Sequence, residues 1–534
     1  MATVDVLFVL GTREDLGMMR AYSVDDVRAA EEAAMQGRPD GELMARAATG
    51  LAQVAHLRLG DGVRVAVLAG AGNNGGDALY AAADLASSGL NVAVVQTASS
   101  VHEDGWAASV NAGSVALQWD EGEAPAAVQD ALADADLVID GILGIGGRPG
   151  LPAHLRDLPQ LVQGAYVLAV DLPSGCDPAG LLNEPDAARL TADETVTFSL
   201  LKPVHLLPAT QAACGLLTVI DIGVPEPAAP AVERLTFQDA AELWPVPGPT
   251  DDKYSRGVLG TIAGGEHYTG AAVMSVTAAV TAGVGMVRYV GPEAPSALLR
   301  QLVPETVFGD GRVQAWSIGS GMDSQDASSE QLRAARAALE SDLPVLLDAG
   351  GLDLLEGPRD APTLLTPHAG ELLRLARRLE LRLDDHLGDD GDLAVDAVRR
   401  APVQVARLVA DHLGVTVLLK GSDTIVVPPT ASGYPVRSQS DGPNWLATAG
   451  SGDVLGGLAG MLLAGGLSPL DAGSLAALVH GVAGDRANPG GPVRALDVAH
   501  ELGRTVAYLL RTADVSAAFT GDGADDLPDA SEPR

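Results

Sequence analysis

Lysine, aromatic residues and cysteine are all scarce in this 534-residue chain, and each scarcity excludes something. Two cysteines, Cys176 and Cys214, are too few for a disulfide framework and stand in no metal-ligand spacing, so a reducing, cytoplasmic setting is the default. Aromatics at 3% exclude cores built on ring packing; with apolar residues at 47%, the cores must be aliphatic, filled by Ala, Val, Leu and Gly. Positive charge is short as well. The formal net charge of −36 repels polyphosphate backbones and anionic bilayers, which speaks against nucleic-acid and peripheral-membrane roles. Small anionic ligands would then need local compensation from backbone N–H groups, helix N-termini, metal ions or single cations. Three lysines are present, Lys202, Lys253 and Lys420, and each falls inside a motif segment discussed below. The N-terminal MATVDVLFVLGTRED has no basic region and no small-residue cleavage site, so it reads as no signal peptide. The uncharged stretch from Thr269 to Val287 is Ala-, Gly- and Thr-rich, which predicts a buried helix and not a membrane span.

The length exceeds what one hydrophobic core supports and predicts two or more domains. From Val63 an apolar run, a Gly-rich turn and an Ala/Leu-rich helical stretch recur through VRVAVLAG, NVAVVQT, ADLVIDGILG and AYVLAVDLPSG, the pattern of a parallel sheet with crossover helices. A Pro-rich stretch between about Ile222 and Asp252 predicts a connection with a short helix. A second alternation starts at Val258: VLGTIAGG, AWSIGSG, PVLLDAGG, TLLTPHAGE, VTVLLKGS. The fold class is α/β twice over. The small, acidic end, GDGADDLPDASEPR, predicts disorder.

In the first half, LAGAGNNGGDAL (Leu68 to Leu79) places a Gly/Asn-rich turn between a strand and a helix, where free N–H groups hold a phosphate. Asn73 and Asn74 add polar groups, and Asp77 is expected in the first helical turn. The next strand ends in Asp140 ahead of the loop GILGIGGRPG, and the following one ends in Asp171 and Ser174, so oxygen ligands from successive strand ends would converge on a cation. In the second half, LATAGSGDVLGGLAGMLLAGG (Leu446 to Gly466) opens a long helix with a Gly-rich turn. Gly450, Gly452 and the first-turn amides would form an anion hole beside Asp453, a base toward a substrate hydroxyl, which is phosphoryl-transfer chemistry.

GNNGGD, the Asp140 loop, VDLPSG and ADETVTFSLLKP (Ala192 to Pro203) together resemble the NAD(P)H-hydrate epimerase family. The resemblance implies a Rossmann-like three-layer domain holding K⁺ through Asn74, Asp140 and Ser174. It implies that the hydrated dinucleotide is contacted by Asn73, Asn74, Gly75, Gly76 and Asp77, by Gly144, Ile145, Gly146, Gly147, Arg148, Pro149 and Gly150, and by Asp171, the candidate proton-transfer residue. GSGD resembles the signature of the ribokinase-like fold, and Asp252 to Ser275, IGSGM and LTPHAGELLRL make the second half similar to the NAD(P)H-hydrate dehydratase family. That likeness implies ADP or ATP with Mg²⁺, nucleotide contacts from Lys420, Gly421, Ser422, Asp423, Thr424 and Gly452, and Ala271, Gly321, His368 and Asp453 facing the hydrate. Ala78 and Val204 stand where Gly is usual, Gly350 replaces a second Asp after Asp348, Asp353 stands where Asn is usual, and Trp445 replaces a Gly where its ring would narrow the pocket.

The resulting expectation is an N-terminal Rossmann-like domain followed by a ribokinase-like α/β domain: an extension over 1–18, an epimerase over 19–230, a dehydratase over 231–515 and an acidic tail over 516–534. The expected enzyme is a cytoplasmic homo-oligomer acting on NADHX and NADPHX, with no nucleic-acid or membrane partner. A small-molecule kinase and a catalytically silent nucleotide-binding regulator are the alternatives.

Overall fold

The computed structural model describes residues 17–322, 328–382 and 396–520; residues 1–16 of the expected extension over 1–18, and residues 521–534 of the expected tail over 516–534, lie outside the described residues. Two sheets organise the chain. The smaller is wholly parallel, in spatial order Val115–Gln118, Asn91–Gln96, Arg64–Ala69, Leu137–Gly141, Tyr166–Val170, Glu194–Phe198 and Leu216–Ile220. Its central strands are continuous apolar runs because helices cover both faces: every residue from Val65 to Ala69 and from Leu137 to Gly141 is buried. The strand order reverses between Arg64–Ala69 and Leu137–Gly141, and the crevice at such a reversal is where ligands settle.

The larger sheet has eleven strands, in order Met19–Ala21, Val232–Arg234, Val436–Gln439, Thr424–Val427, Thr416–Leu419, Thr363–Leu365, Val345–Leu347, Ala315–Ile318, Val258–Ile262, Met286–Val290 and Val307–Phe308. Its central strands are parallel, and the antiparallel hairpin Thr416–Leu419/Thr424–Val427 joins them to the three outer strands Val436–Gln439, Val232–Arg234 and Met19–Ala21. The Pro-rich connection carries more than the expected short helix. The helix Phe237–Leu243 is there, with a capping box of Thr236 and Asp239, but so is the strand Val232–Arg234. Met19–Ala21, at the start of the expected first domain, pairs antiparallel with that strand and so belongs to the second sheet. The C-terminal helix runs over Ala495–Thr520, so residues 516–520, expected in the disordered tail, continue it.

Aliphatic composition shows in helix packing. The expected buried helix is Thr269–Thr281, and Ser451–Ala464 lies directly against it. At the crossing, a Cβ on Gly457 would stand 2.1 Å from the Ser275 carbonyl oxygen, so the backbones touch. Gly457→Ala must push the helices apart, and we expect a loss of about 1–3 kcal/mol, read as a lowered midpoint in urea unfolding. No helix among the described residues is long and apolar enough to cross a membrane.

Candidate functional site

At the reversal of the smaller sheet, the helix Asn73–Ser87 begins directly after Gly72, with no side chain capping it. Asp77 therefore lies in the second turn and not the first. A cavity of about 360 Å³ opens there, lined among others by Asn73, Asn74, Asp77, Ile145 and Asp171. Gly144, Gly146, Gly147, Arg148, Pro149 and Gly150 are not among its lining residues. Gly144 instead packs on Asn74, where a Cβ would meet Asn74 Oδ1 at 2.4 Å, and Gly150 donates to the Gly175 carbonyl at 2.9 Å. Gly75 and Gly76 permit close approach: a Cβ on Gly75 would stand 2.1 Å from the Gly70 carbonyl oxygen, and one on Gly76 would press Met44.

Asp171 ends the strand Tyr166–Val170 with φ +68°, a left-handed conformation that costs a non-Gly residue energy and persists only where its surroundings impose it. They do so from one short segment. Lys202, 1% exposed, pairs its ammonium with Asp171 Oδ1 and donates to Thr197 Oγ1 at 2.9 Å. His205 lies 2.7 Å from the Asp171 carbonyl through Nε2, while its Nδ1 accepts the Lys202 N–H at 3.1 Å. Burial, then the Lys202 charge, push the imidazole down to about 4, so it is neutral with its proton on Nε2. Burial, then the charges of Asp171 and Glu31, raise Asp77 well above the usual carboxylate range.

Asn74, Asp140 and Ser174 come together. Ser174 Oγ donates to Asp140 Oδ1 at 2.6 Å and its N–H to Oδ2 at 2.8 Å, while Asn74 Nδ2 donates to the Val170 carbonyl at 2.6 Å. Asp140 is fully buried and has no cation partner among the described residues, and burial pushes it up to about 6. Oxygen atoms around a buried carboxylate that lacks a cation partner suit a hard cation.

In the larger sheet, a cavity of about 560 Å³ is lined by His368, Lys420, Gly421, Ser422, Thr424 and Gly452, together with Thr448 and His480. Asp423 is not among its lining residues. The helix Ser451–Ala464 starts at Gly450, in the left-handed conformation at φ +90°, with no side-chain cap; Ser451 N–H donates to the Thr448 carbonyl at 3.3 Å, and the Gly452 and Asp453 amides stay available to an anion. Lys420 Nζ sits 2.7 Å from Asp348 Oδ1 and 3.7 Å from Glu371 Oε2. Asp453, in the first helical turn, lies beside this group, and burial, then the Asp348 charge, push it up to about 7. His368 lines the cavity and also caps the helix Ala369–Arg378, its Nδ1 accepting from Gly370 and Glu371 N–H. Ala271 and Gly321 touch, since a Cβ on Gly321 would stand 2.4 Å from Ala271 Cβ. Trp445, 51% exposed, is not among the lining residues and does not narrow the cavity.

Comparison with known proteins matches both halves. A model described as NAD(P)H-hydrate dehydratase matches residues 259–504, and one described as YjeF-related protein N-terminus matches residues 40–204. The bifunctional NAD(P)H-hydrate repair enzyme Nnr of Mycobacterium tuberculosis is 42% identical over 470 residues, covering 84% of this chain and 90% of that protein. The chain belongs to the bifunctional NAD(P)H-hydrate repair enzymes. Relatives of the same name from Mycobacterium leprae and Corynebacterium glutamicum are 40% and 35% identical, covering 87% and 84% of this chain and 93% and 87% of theirs. Among solved structures, the ADP/ATP-dependent NAD(P)H-hydrate dehydratase of Bacillus subtilis, co-crystallised with ATP/Mg²⁺, is 23% identical with a TM-score of 0.44, covering 51% of this chain and 97% of its own. For this repair enzyme, reading the motifs missed Glu31 and His102 in the first site and Ser320 and Glu371 beside Asp453 in the second. Glu371 stands inside LTPHAGELLRL and was open to being found; Glu31 and His102 stand outside the quoted motifs.

Proposed function

We propose that this chain repairs hydrated nicotinamide dinucleotides, its first site inverting the hydrate at C6 and its second dehydrating the (6S) epimer of NADHX or NADPHX at the expense of ADP or ATP. The division follows the segments 19–230 and 231–515. The observation that carries the reading is the group at the second site: an uncapped helix start with Asp453 in its first turn, beside Lys420 and Asp348. Asp453 takes the proton of the C6 hydroxyl as its oxygen attacks the terminal phosphorus, and Lys420 with the helix amides offsets the charge on the transferring group. Lys420, Gly421, Ser422, Asp423, Thr424 and Gly452 form the nucleotide side, while Ala271, Gly321 and His368 form the hydrate side. Mg²⁺ bound with the nucleotide would neutralise phosphate charge. Departure of phosphate with a neighbouring C–H proton restores the dihydronicotinamide.

In the first site Asn74, Asp140 and Ser174 hold K⁺, which supplies the positive charge that Asp140 lacks. Asn73 to Asp77, the loop from Gly144 to Gly150, which enters the cavity through Ile145, and Asp171, the ion-paired proton-transfer residue, contact the hydrated dinucleotide. A cytoplasmic homo-oligomer completes the reading. The test is to give purified protein an equal mixture of (6R) and (6S) hydrated NADH with Mg²⁺ and ADP or ATP. Recovery of the reduced-nicotinamide absorbance beyond half of the input, faster than uncatalysed inversion, is expected; no recovery at all overturns the proposal.

A further inference from the structure

The first cavity holds more carboxyl groups than cations can satisfy. Asp77, Glu31 and Asp171 all line it, and Lys202 is committed to Asp171 and Thr197. Arg38, the arginine on its wall, donates to the Ile222 and Gly223 carbonyls at 3.3 and 3.0 Å. Asp77, 8% exposed, accepts no hydrogen bond and forms no ion pair among the described residues, and the same holds for Glu31. A buried carboxyl with no partner, turned to a ligand cavity, is costly to the fold and asks for a functional reason.

The chemistry of the hydrate supplies one. Its C6 carries a hydroxyl and is bonded to the ring nitrogen, so it is a hemiaminal: protonating the hydroxyl lets water leave and produces a ring iminium ion. Water returning on the opposite face gives the other epimer, and no C–H bond breaks. Resting on the epimerase reading above, we propose that Asp77 is the general acid of the first site. It donates its proton to the C6 hydroxyl as the C–O bond breaks and water departs; the Asp171 carboxylate stabilises the iminium ion and takes a proton from the water that adds. That proton then returns to Asp77 through water in the cavity, leaving the enzyme unchanged. The two carboxyl groups stand in opposite surroundings. Asp171 has the Lys202 ammonium as its partner, whereas Asp77 has none, and burial and the neighbouring carboxylates favour its protonated form.

Asp77→Asn should lower (6R) to (6S) inversion by about 100-fold or more, with ADP-dependent dehydration of the (6S) hydrate at the separate cavity unchanged. Because the substitution removes an unpartnered buried carboxyl, the variant should melt at or above the wild-type temperature, which a structural role would not give. Asp77→Glu, which keeps the acid, should retain measurable inversion. In ¹⁸O-labelled water the wild-type protein should place label at C6 with each inversion and no solvent deuterium on carbon. Inversion by Asp77→Asn within about threefold of wild type, or deuterium uptake without ¹⁸O, overturns the assignment and leaves the epimerase reading standing. A wild-type protein that does not invert the hydrate overturns both.

Discussion

Asp453→Ala should lower dehydratase turnover by about 10²- to 10⁴-fold, the usual worth of a positioned base, while nucleotide binding survives. The separation is expected because Asp453 is not itself one of the groups that line the nucleotide cavity: Lys420, Gly421, Ser422, Thr424 and Gly452 remain, as does the uncapped helix start. The wild-type pH profile follows from the same geometry. Burial and Asp348 lift Asp453 to about 7, with Lys420 opposing them. A base works only when deprotonated, so kcat/KM for the (6S) hydrate should climb through pH 7 and fall about tenfold per unit on the acid side. In Asp453→Ala that inflection near pH 7 should vanish along with the rate. A variant that keeps both the rate and the inflection would assign the base elsewhere. Asp348, 2.7 Å from Lys420 Nζ, is then the first alternative.

The parts of the molecule legible in the sequence are those written in short-range pattern. Apolar runs ending in Gly-rich turns marked most central strands of both sheets, and the strand ends carried Asp140, Asp171, Lys420 and, one helix further on, Asp453. Three residues carry too little periodicity to announce a strand, so Met19–Ala21 and its place in the second sheet were invisible; its partner Val232–Arg234 was hidden in a Pro-rich stretch. The loop from Gly144 to Gly150 read as a ligand wrap, yet of its residues only Ile145 lines the cavity, because a glycine loop says that backbones approach closely without saying what approaches. Glu31 and His102 reach the first site from helix and loop positions far along the chain, and nothing local distinguishes them from solvated polar residues. Trp445 misled in the other direction: a bulky residue beside a Gly-rich turn suggests obstruction, but its side chain lies largely in solvent. Scarcity proved informative for two of three lysines, since Lys202 and Lys420 each pair with a buried carboxylate at a site, while Lys253 lies over the Tyr254 ring at 5.2 Å.

Lys202→Met tests the first site through the fold. The ammonium is almost wholly enclosed, so the pair with Asp171 loses little to solvent screening, and deleting one partner strands the other charge in a poor medium. Breaking a buried pair in this way costs about 3–5 kcal/mol, a large share of a domain's stability. Met keeps most of the side-chain volume, so cavity formation contributes little and the loss reports on charge. The double variant Lys202→Met, Asp171→Asn should recover most of that stability, because removing both charges leaves neither unpaired. Neither variant should invert the hydrate, since the anion at the ring is unsupported in one and absent in the other. Dehydration of the (6S) hydrate should persist in whatever fraction stays folded, because Lys420 and Asp453 belong to the other sheet. Urea unfolding of wild type and of the single and double variants decides the matter. A single variant as stable as wild type would mean that Lys202 does not hold Asp171 in its left-handed turn, and that the strained backbone there is maintained by His205, the Thr197 hydroxyl and the Val196 carbonyl.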